Sequence, residues 1–69
     1  MGEGSILLNG ETRKVEFETD LARLLDDLEL PKQRIAIELN GSVIRRSDWA
    51  ETLVSDGDRI EVVHFVGGG

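Results

Sequence analysis

Few side chains in this sequence of 69 residues have the types and spacing that catalysis or metal binding requires. His64 is the only histidine, and cysteine is absent. A single histidine without such partners cannot complete a catalytic triad or a zinc site, so we expect His64 to be structural or solvated. The acidic residues form three close pairs that a solvated surface or a turn explains better than a metal or acid–base site: Glu16/Glu18, Asp26/Asp27 and Asp56/Asp58.

The C-terminal glycines offer a different chemistry. Gly67, Gly68 and Gly69 carry no side chains that could pack, so one interpretation is a frayed end. The other interpretation is functional, because three extended residues reach about 10 Å and can enter a narrow channel. The tail would then present the terminal carboxylate to the active site of another protein. Once activated, for instance as an acyl-adenylate, this carboxylate can accept a nucleophile such as sulfur.

The elements that must position this tail follow from the hydrophobic pattern. Asn9-Gly10 separates two segments of strand character and predicts a hairpin, because a type I′ turn needs positive φ at both central residues. The two strands span about 5–9 and 12–18, and the period of two places Val15 and Phe17 on one face.

A stripe of leucines marks the next element. Their helical spacing predicts an amphipathic helix through Leu21, Leu24, Leu25 and Leu28. Thr19 or Asp20 caps its first turn and Pro31 ends it. Strands follow at 35–39, 43–44 and 60–66. Before the last of them, Ser47 is the predicted N-cap of a helical turn in which Trp49 covers one end of the core, with a contact hot spot as the alternative.

This order of elements predicts an α+β fold of two layers, the β-grasp or ubiquitin-like arrangement. Its mixed five-stranded sheet carries one main helix on one face, together with a short helical turn. The two most apolar segments, Ile6–Leu8 and Val62–Val66, are expected to lie side by side and parallel at the sheet centre. Residues 1–66 then form a single domain, and 67–69 form a flexible tail.

Composition limits the classes of function. A formal net charge of −6 argues against nucleic-acid binding. The sequence has no apolar run long enough to span a membrane, and its N-terminus lacks the pattern of a secretory signal, so we expect a cytoplasmic protein without a membrane segment. A chain this short has little room to enclose a substrate, so we expect a protein that is not an enzyme and binds no cofactor.

The sheet face opposite the helix is the expected docking surface. On the last strand, Ile60 and Val62 face the helix. Val63 and Phe65 are therefore expected to face away from it, together with Leu7 on the neighbouring strand. An exposed apolar patch beside the tail is predicted to bind partners, and its members are Leu7, Val63, Phe65 and Val66. The charges around this patch would steer a basic partner. Self-association through this face is the alternative.

Several motifs resemble one known family. They are the run from Ile35 to Trp49, which contains Asn40-Gly41 and Ser47-Asp48-Trp49, the run from Asp56-Gly57-Asp58 to Val63, and the terminal Gly68-Gly69. In this combination and at these spacings they resemble the ThiS family, the sulfur carrier proteins of thiamine biosynthesis, over about Ile6 to Gly69. One departure is Arg45, where many members carry proline.

The resemblance implies a cycle in which Gly69 is the modified residue. A ThiF-type adenylating enzyme would use ATP and Mg²⁺ to form an acyl-adenylate at Gly69, with Gly67 and Gly68 threading its active site. Sulfur from a persulfide, supplied by a cysteine desulfurase, would convert the adenylate to a thiocarboxylate. A ThiG-type thiazole synthase would then take the sulfur into the thiazole ring. Both the adenylating enzyme and the synthase would dock on the face opposite the helix.

Two other functions stay open at this point. A molybdopterin-synthase small subunit shares the fold and the tail but stays bound to a large subunit, and its chains usually run longer. A ubiquitin-like interaction module that carries no sulfur would have an incidental tail. Such a module would keep its affinity for a partner after the tail is truncated.

Overall fold

A computed structural model describes residues 2–30 and 33–65 of the chain. The elements in chain order are β1 Glu3–Leu8, β2 Glu11–Glu16, α1 Leu21–Asp27, β3 Ile35–Leu39, β4 Ser42–Ile44, a 3₁₀ helix Arg46–Glu51 and β5 Arg59–His64. The strands form one sheet in the order β2-β1-β5-β3-β4. The mixed sheet and its helix confirm the predicted β-grasp class.

The last strand, β5, lies in the middle of the sheet. It pairs parallel with β1, where Leu8 lies opposite Ile60, and antiparallel with β3, where Ile37 lies opposite Val62. The prediction that the first and last strands are parallel neighbours is therefore confirmed. The strand ends at His64 and not at the predicted Val66, which lies outside the described residues.

The hydrophobic core fills the space between α1 and one face of the sheet. Alternate residues of β1 and β5 are buried there, and α1 contributes its leucines, as the two periodicities require. The buried core residues are Ile6, Leu8, Val15, Leu21, Leu24, Leu25, Ile35, Ile37, Trp49, Val54, Ile60 and Val62. One α-helix covers one face of the sheet in the described ranges 2–30 and 33–65, so the other face of the sheet is open.

Two asparagine–glycine turns hold the hairpins. Asn9 and Asn40 have φ of 51° and 52°, and the glycine after each is also at positive φ, which confirms the predicted turn at Asn9-Gly10. Both asparagine side chains also bind β5. The Asn9 Oδ1 accepts from the N–H of Val62 at 2.8 Å, and the Asn40 Oδ1 accepts from the N–H of Arg59 at 2.8 Å.

The helix is shorter than predicted at its C-terminal end. Asp20 is the N-cap, with its side chain accepting from the N–H of Arg23 at 2.8 Å, so Asp20 and not Thr19 is the cap. At the other end the N–H groups of Glu29 and Leu30 donate to Asp26 and Leu25, each at 3.0 Å. This bonding, with φ of 58° at Glu29, is a Schellman motif that ends the helix at Asp27, before Pro31 is reached.

Two further sequence expectations need correction. The second strand ends at Glu16 and not at residue 18, so Phe17 lies beyond it and is 44% exposed, with its ring over the backbone of Gly4. The 3₁₀ helix begins at Arg46, so Ser47 is not its N-cap. Arg45 occupies that position without a side-chain cap, and the N–H of Asp48 donates to its carbonyl at 2.8 Å.

Candidate functional site

The base of the tail is held by the central strand. Beyond β5, the N–H of Phe65 donates to the carbonyl of Arg34 at 2.7 Å, which continues the ladder between β5 and β3 by one more step. The predicted site residues Val66, Gly67, Gly68 and Gly69 lie outside the described residues. The described part of the chain therefore brings the backbone to the root of the tail at Phe65.

The predicted apolar residues are exposed on the open face, but they do not form one patch. Leu7, Val63 and Phe65 are 42%, 45% and 57% exposed. The parallel register places Leu7 opposite Arg59, four residues along β5 from Val63 and about 13 Å away at 3.3 Å per residue. Leu7 is thus separated from Val63, and of these three residues Val63 and Phe65 lie at the C-terminal end of β5, where the described part of the chain ends.

Two further residues that were not predicted from the sequence belong to this surface. Ala36 lies opposite Val63, and Val43, which is 67% exposed, lies opposite Glu38. The position of Val43 could be predicted from the turn. A two-residue turn at Asn40-Gly41 places Val43 opposite Glu38, and residues opposite each other share one face of the sheet. The centre of the open face is therefore a row of Glu61, Glu38 and Val43 across three strands.

Arg45 has backbone angles that explain how the chain tolerates its departure from proline. Its φ is −66° and its ψ is 146°, which are values that proline adopts. Arg45 directly follows the edge strand β4. The difference from the family pattern therefore changes the side chain and its charge, while the backbone conformation stays one that proline would allow.

The remaining candidates for chemistry have structural roles. His64 is exposed at the end of β5, in agreement with the expectation that it is structural or solvated. The Asp56 carboxylate accepts from the N–H of Ser5 at 2.7 Å, and the Asp58 carboxylate accepts from the N–H of Ser55 at 2.7 Å. These carboxylates fix the turn before β5. Among residues 2–30 and 33–65, histidine and acidic side chains form no group of three that could hold a metal ion.

Trp49 is part of the core. It is 4% exposed, and its Nε1 donates to the carbonyl of Ile44 at 3.0 Å. The guanidinium carbon of Arg46 lies 4.8 Å from the ring centroid. The prediction that Trp49 covers the core with its N–H bonded is confirmed, and the alternative of an exposed contact hot spot is wrong.

A mixed five-stranded sheet with the C-terminal strand at its centre and one α-helix on one face defines a ubiquitin-like protein of the β-grasp class. A crystal structure of the thiamine biosynthesis protein ThiS from Geobacter metallireducens superposes with a TM-score of 0.81 and 32% identity, covering 94% of this chain and 99% of that one. The ThiS family model matches residues 6–69. The chain belongs to the ThiS family, which confirms the resemblance found in its motifs.

Two similar proteins differ in the share of their length that this chain covers. The sulfur carrier protein ThiS of Bacillus subtilis is 36% identical over 63 residues, which cover 90% of this chain and 96% of that protein. A thiazole synthase of Magnetococcus marinus is 41% identical over 64 residues, which cover 93% of this chain. The chain spans only 20% of the length of that synthase.

No helix in the ranges 2–30 and 33–65 combines the length and the apolar character that crossing a bilayer requires.

Proposed function

We propose that this chain is a sulfur carrier protein of thiamine biosynthesis and that the carboxylate of Gly69 is its working group. Membership of the ThiS family is the observation that carries the proposal. The geometry supports it, because the central strand holds Phe65 at the root of the tail. The four residues that follow Phe65 in the sequence span at most about 14 Å when extended. This length suits delivery of a carboxylate into the active site of another protein.

The proposed chemistry takes place at the end of the backbone. A carboxylate oxygen of Gly69 attacks the α-phosphate of ATP in a ThiF-type enzyme, and pyrophosphate leaves. A persulfide sulfur from a cysteine desulfurase system then displaces AMP, which carries away one carboxylate oxygen. A second thiol reduces the resulting sulfur–sulfur bond and releases the thiocarboxylate. Glycine suits this position because it places no side chain beside the attacked carbonyl.

The second half of the cycle is delivery of the sulfur. A ThiG-type thiazole synthase accepts sulfur from the Gly69 thiocarboxylate, and Gly67 and Gly68 pass through the narrow entry to its active site. Resemblance to a segment of a thiazole synthase supports this partner. In this role the chain is a protein cosubstrate without a bound cofactor, and the partner enzymes supply the catalytic groups. Such a cycle would run in the cytoplasm.

Intact-mass measurement tests the proposal. The chain is incubated with the adenylating enzyme, ATP, Mg²⁺ and a sulfur donor. The expected result is a mass increase equal to one oxygen replaced by one sulfur, located at Gly69 by fragmentation. A variant that lacks Gly69 should keep its thermal unfolding midpoint and show no increase, because the new end of the chain stops one residue short of the activating site.

Two further variants test the dependence on the C-terminal end. Adding one residue after Gly69 should also prevent the mass increase, whereas deleting Gly2, at the other end, should leave the reaction unchanged. Formation of the thiocarboxylate in the variant without Gly69 would contradict the proposal.

A further inference from the structure

Two glutamates face each other at the centre of the open face. Glu61 of β5 lies opposite Glu38 of β3. This pair belongs to the hydrogen-bonded positions of the ladder, because Asn40 bonds to Arg59 and Phe65 bonds to Arg34 at even steps on either side of it. The two Cα atoms of such a pair are about 5.5 Å apart, and like charges directly opposite each other destabilise a sheet.

Neither glutamate side chain is neutralised within the described part of the chain. Among residues 2–30 and 33–65, neither carboxylate has a hydrogen bond or an ion pair. Arg59 lies two residues from Glu61 on the same face, yet it forms no ion pair with that carboxylate. Within the described part of the chain, two carboxylates without an ion pair therefore lie side by side on the surface that the helix leaves open.

Apolar side chains flank this pair on two sides. Val43 lies opposite Glu38 on its other side, and Val63 is the next residue of β5 on the same face. Val43 and Val63 are 67% and 45% exposed. A partner that covers these side chains would remove water from the two carboxylates. A cation that the partner places between them would then form charge-assisted hydrogen bonds in a medium where they are strong.

We propose that Glu38 and Glu61, flanked by Val43 and Val63, bind an arginine or lysine side chain on the surface of a thiazole synthase. This inference rests on the proposed function and specifies the docking partner and its chemistry. The synthase is the favoured occupant because a thiazole synthase contains a segment similar to this chain, so the two proteins have a reason to fit one another. The net charge of −6 gives the same complementarity with a basic surface.

Binding measurements with glutamine variants test this proposal. Glu38→Gln and Glu61→Gln are compared with Glu16→Gln, which is the matched control. Glu16 also lies opposite a glutamate, Glu3, on the same face, but on the edge strand β2 and away from the centre of the sheet. The dissociation constant of each full-length variant for purified thiazole synthase is measured by calorimetry at low and high salt, together with the thermal unfolding midpoint.

In the two central variants, binding to the synthase should weaken while the thermal stability is kept or rises. Each of Glu38→Gln and Glu61→Gln should weaken binding to the synthase by about tenfold or more and reduce its dependence on salt. Neither variant should have a lower unfolding midpoint than the unmodified chain, because loss of the repulsion stabilises the sheet. Glu16→Gln should change the dissociation constant by less than about twofold, since it lies outside the interface.

Three outcomes would overturn the proposal. Equal affinities of the central variants and Glu16→Gln would show that the pair does not bind the synthase. Weaker binding accompanied by a lower unfolding midpoint would show a structural role. If the unmodified chain neither binds the synthase nor gains sulfur in the mass experiment, the proposed function fails as well. Gain of sulfur with unchanged glutamine variants overturns the docking inference alone.

Discussion

At the scale of single residues, several side chains form hydrogen bonds with backbone groups of other parts of the fold. Trp49 closes the core at the end of β4 by bonding to the carbonyl of Ile44, and Arg46 covers its ring. Asn9 and Asn40 each hold the central strand with an amide oxygen while their own backbone makes a turn. The two asparagine contacts join chain segments that are 53 and 19 residues apart in the sequence, without any disulfide.

Replacing Trp49 with phenylalanine should lower the free energy of unfolding by about 1–3 kcal/mol, because it removes the buried hydrogen bond to the Ile44 carbonyl and leaves a void beside it. Urea unfolding followed by circular dichroism measures the change. Arg46→Ala is the control, since it removes only the cation over the ring and should cost less than about 1 kcal/mol. Equal losses in the two variants would contradict the importance of the hydrogen bond.

At the scale of elements, local pattern predicted most of the fold. The leucine spacing, the asparagine–glycine turn and the alternation in β5 indicated the helix, the first hairpin and the faces of the strands. The pattern could not indicate the register between β1 and β5, because a period of two fixes the face of a side chain and not the offset between distant strands. That offset separates Leu7 from Val63 and places Glu61 in the space between them.

The end of the helix shows a second limit of sequence patterns. Pro31 is a strong breaker, so the sequence predicts that the helix reaches it. The Schellman motif closes the helix earlier because Glu29 accepts a left-handed conformation that glycine usually occupies. Prediction of the candidate site had the same limit. The glycine tail was evident from the sequence, but the row of Val43 and the glutamates depends on the pairing of three strands.

The edge strand β4 permits a test of backbone conformation. Arg45→Pro should raise the free energy of unfolding by about 0.4–1 kcal/mol, because φ is already −66° and proline restricts the unfolded chain. Ile44 is bonded to Ile37 across the hairpin, so the N–H of the next residue points away from β3 and its loss costs no ladder bond. Thermal unfolding measures the change. Arg45→Ala controls for the lost charge, and a proline variant less stable than this alanine variant would contradict the prediction.

At the scale of the whole molecule, the two faces of the sheet differ in burial and composition. One face is covered by α1 and holds the core, and the other presents charged and apolar side chains next to the root of the tail. Because the core lies entirely on the first face, side chains of the second can change without loss of the fold. Binding and stability should therefore respond to different sets of substitutions.

Phe65→Asp tests this separation. The side chain is 57% exposed and its backbone bond to Arg34 does not need the ring, so the unfolding midpoint should stay within a few degrees. Formation of the thiocarboxylate, measured by intact mass against time, should slow by about tenfold or more if the ring docks on a partner. Leu53→Asp, at an equally exposed leucine outside the open face, is the control. Equal rates for the two variants would contradict the role of Phe65.

The parallel pairing of β1 and β5 also has a mechanical consequence. A pull along β5 from its C-terminal end loads the middle strand of the sheet along its own axis. β1 runs parallel to β5 beside it. Tension between the two ends of the chain therefore loads the hydrogen bonds between β1 and β5 at the same time and does not break them one after another. The fold is thus suited to resist a pull on its C-terminal strand without unfolding.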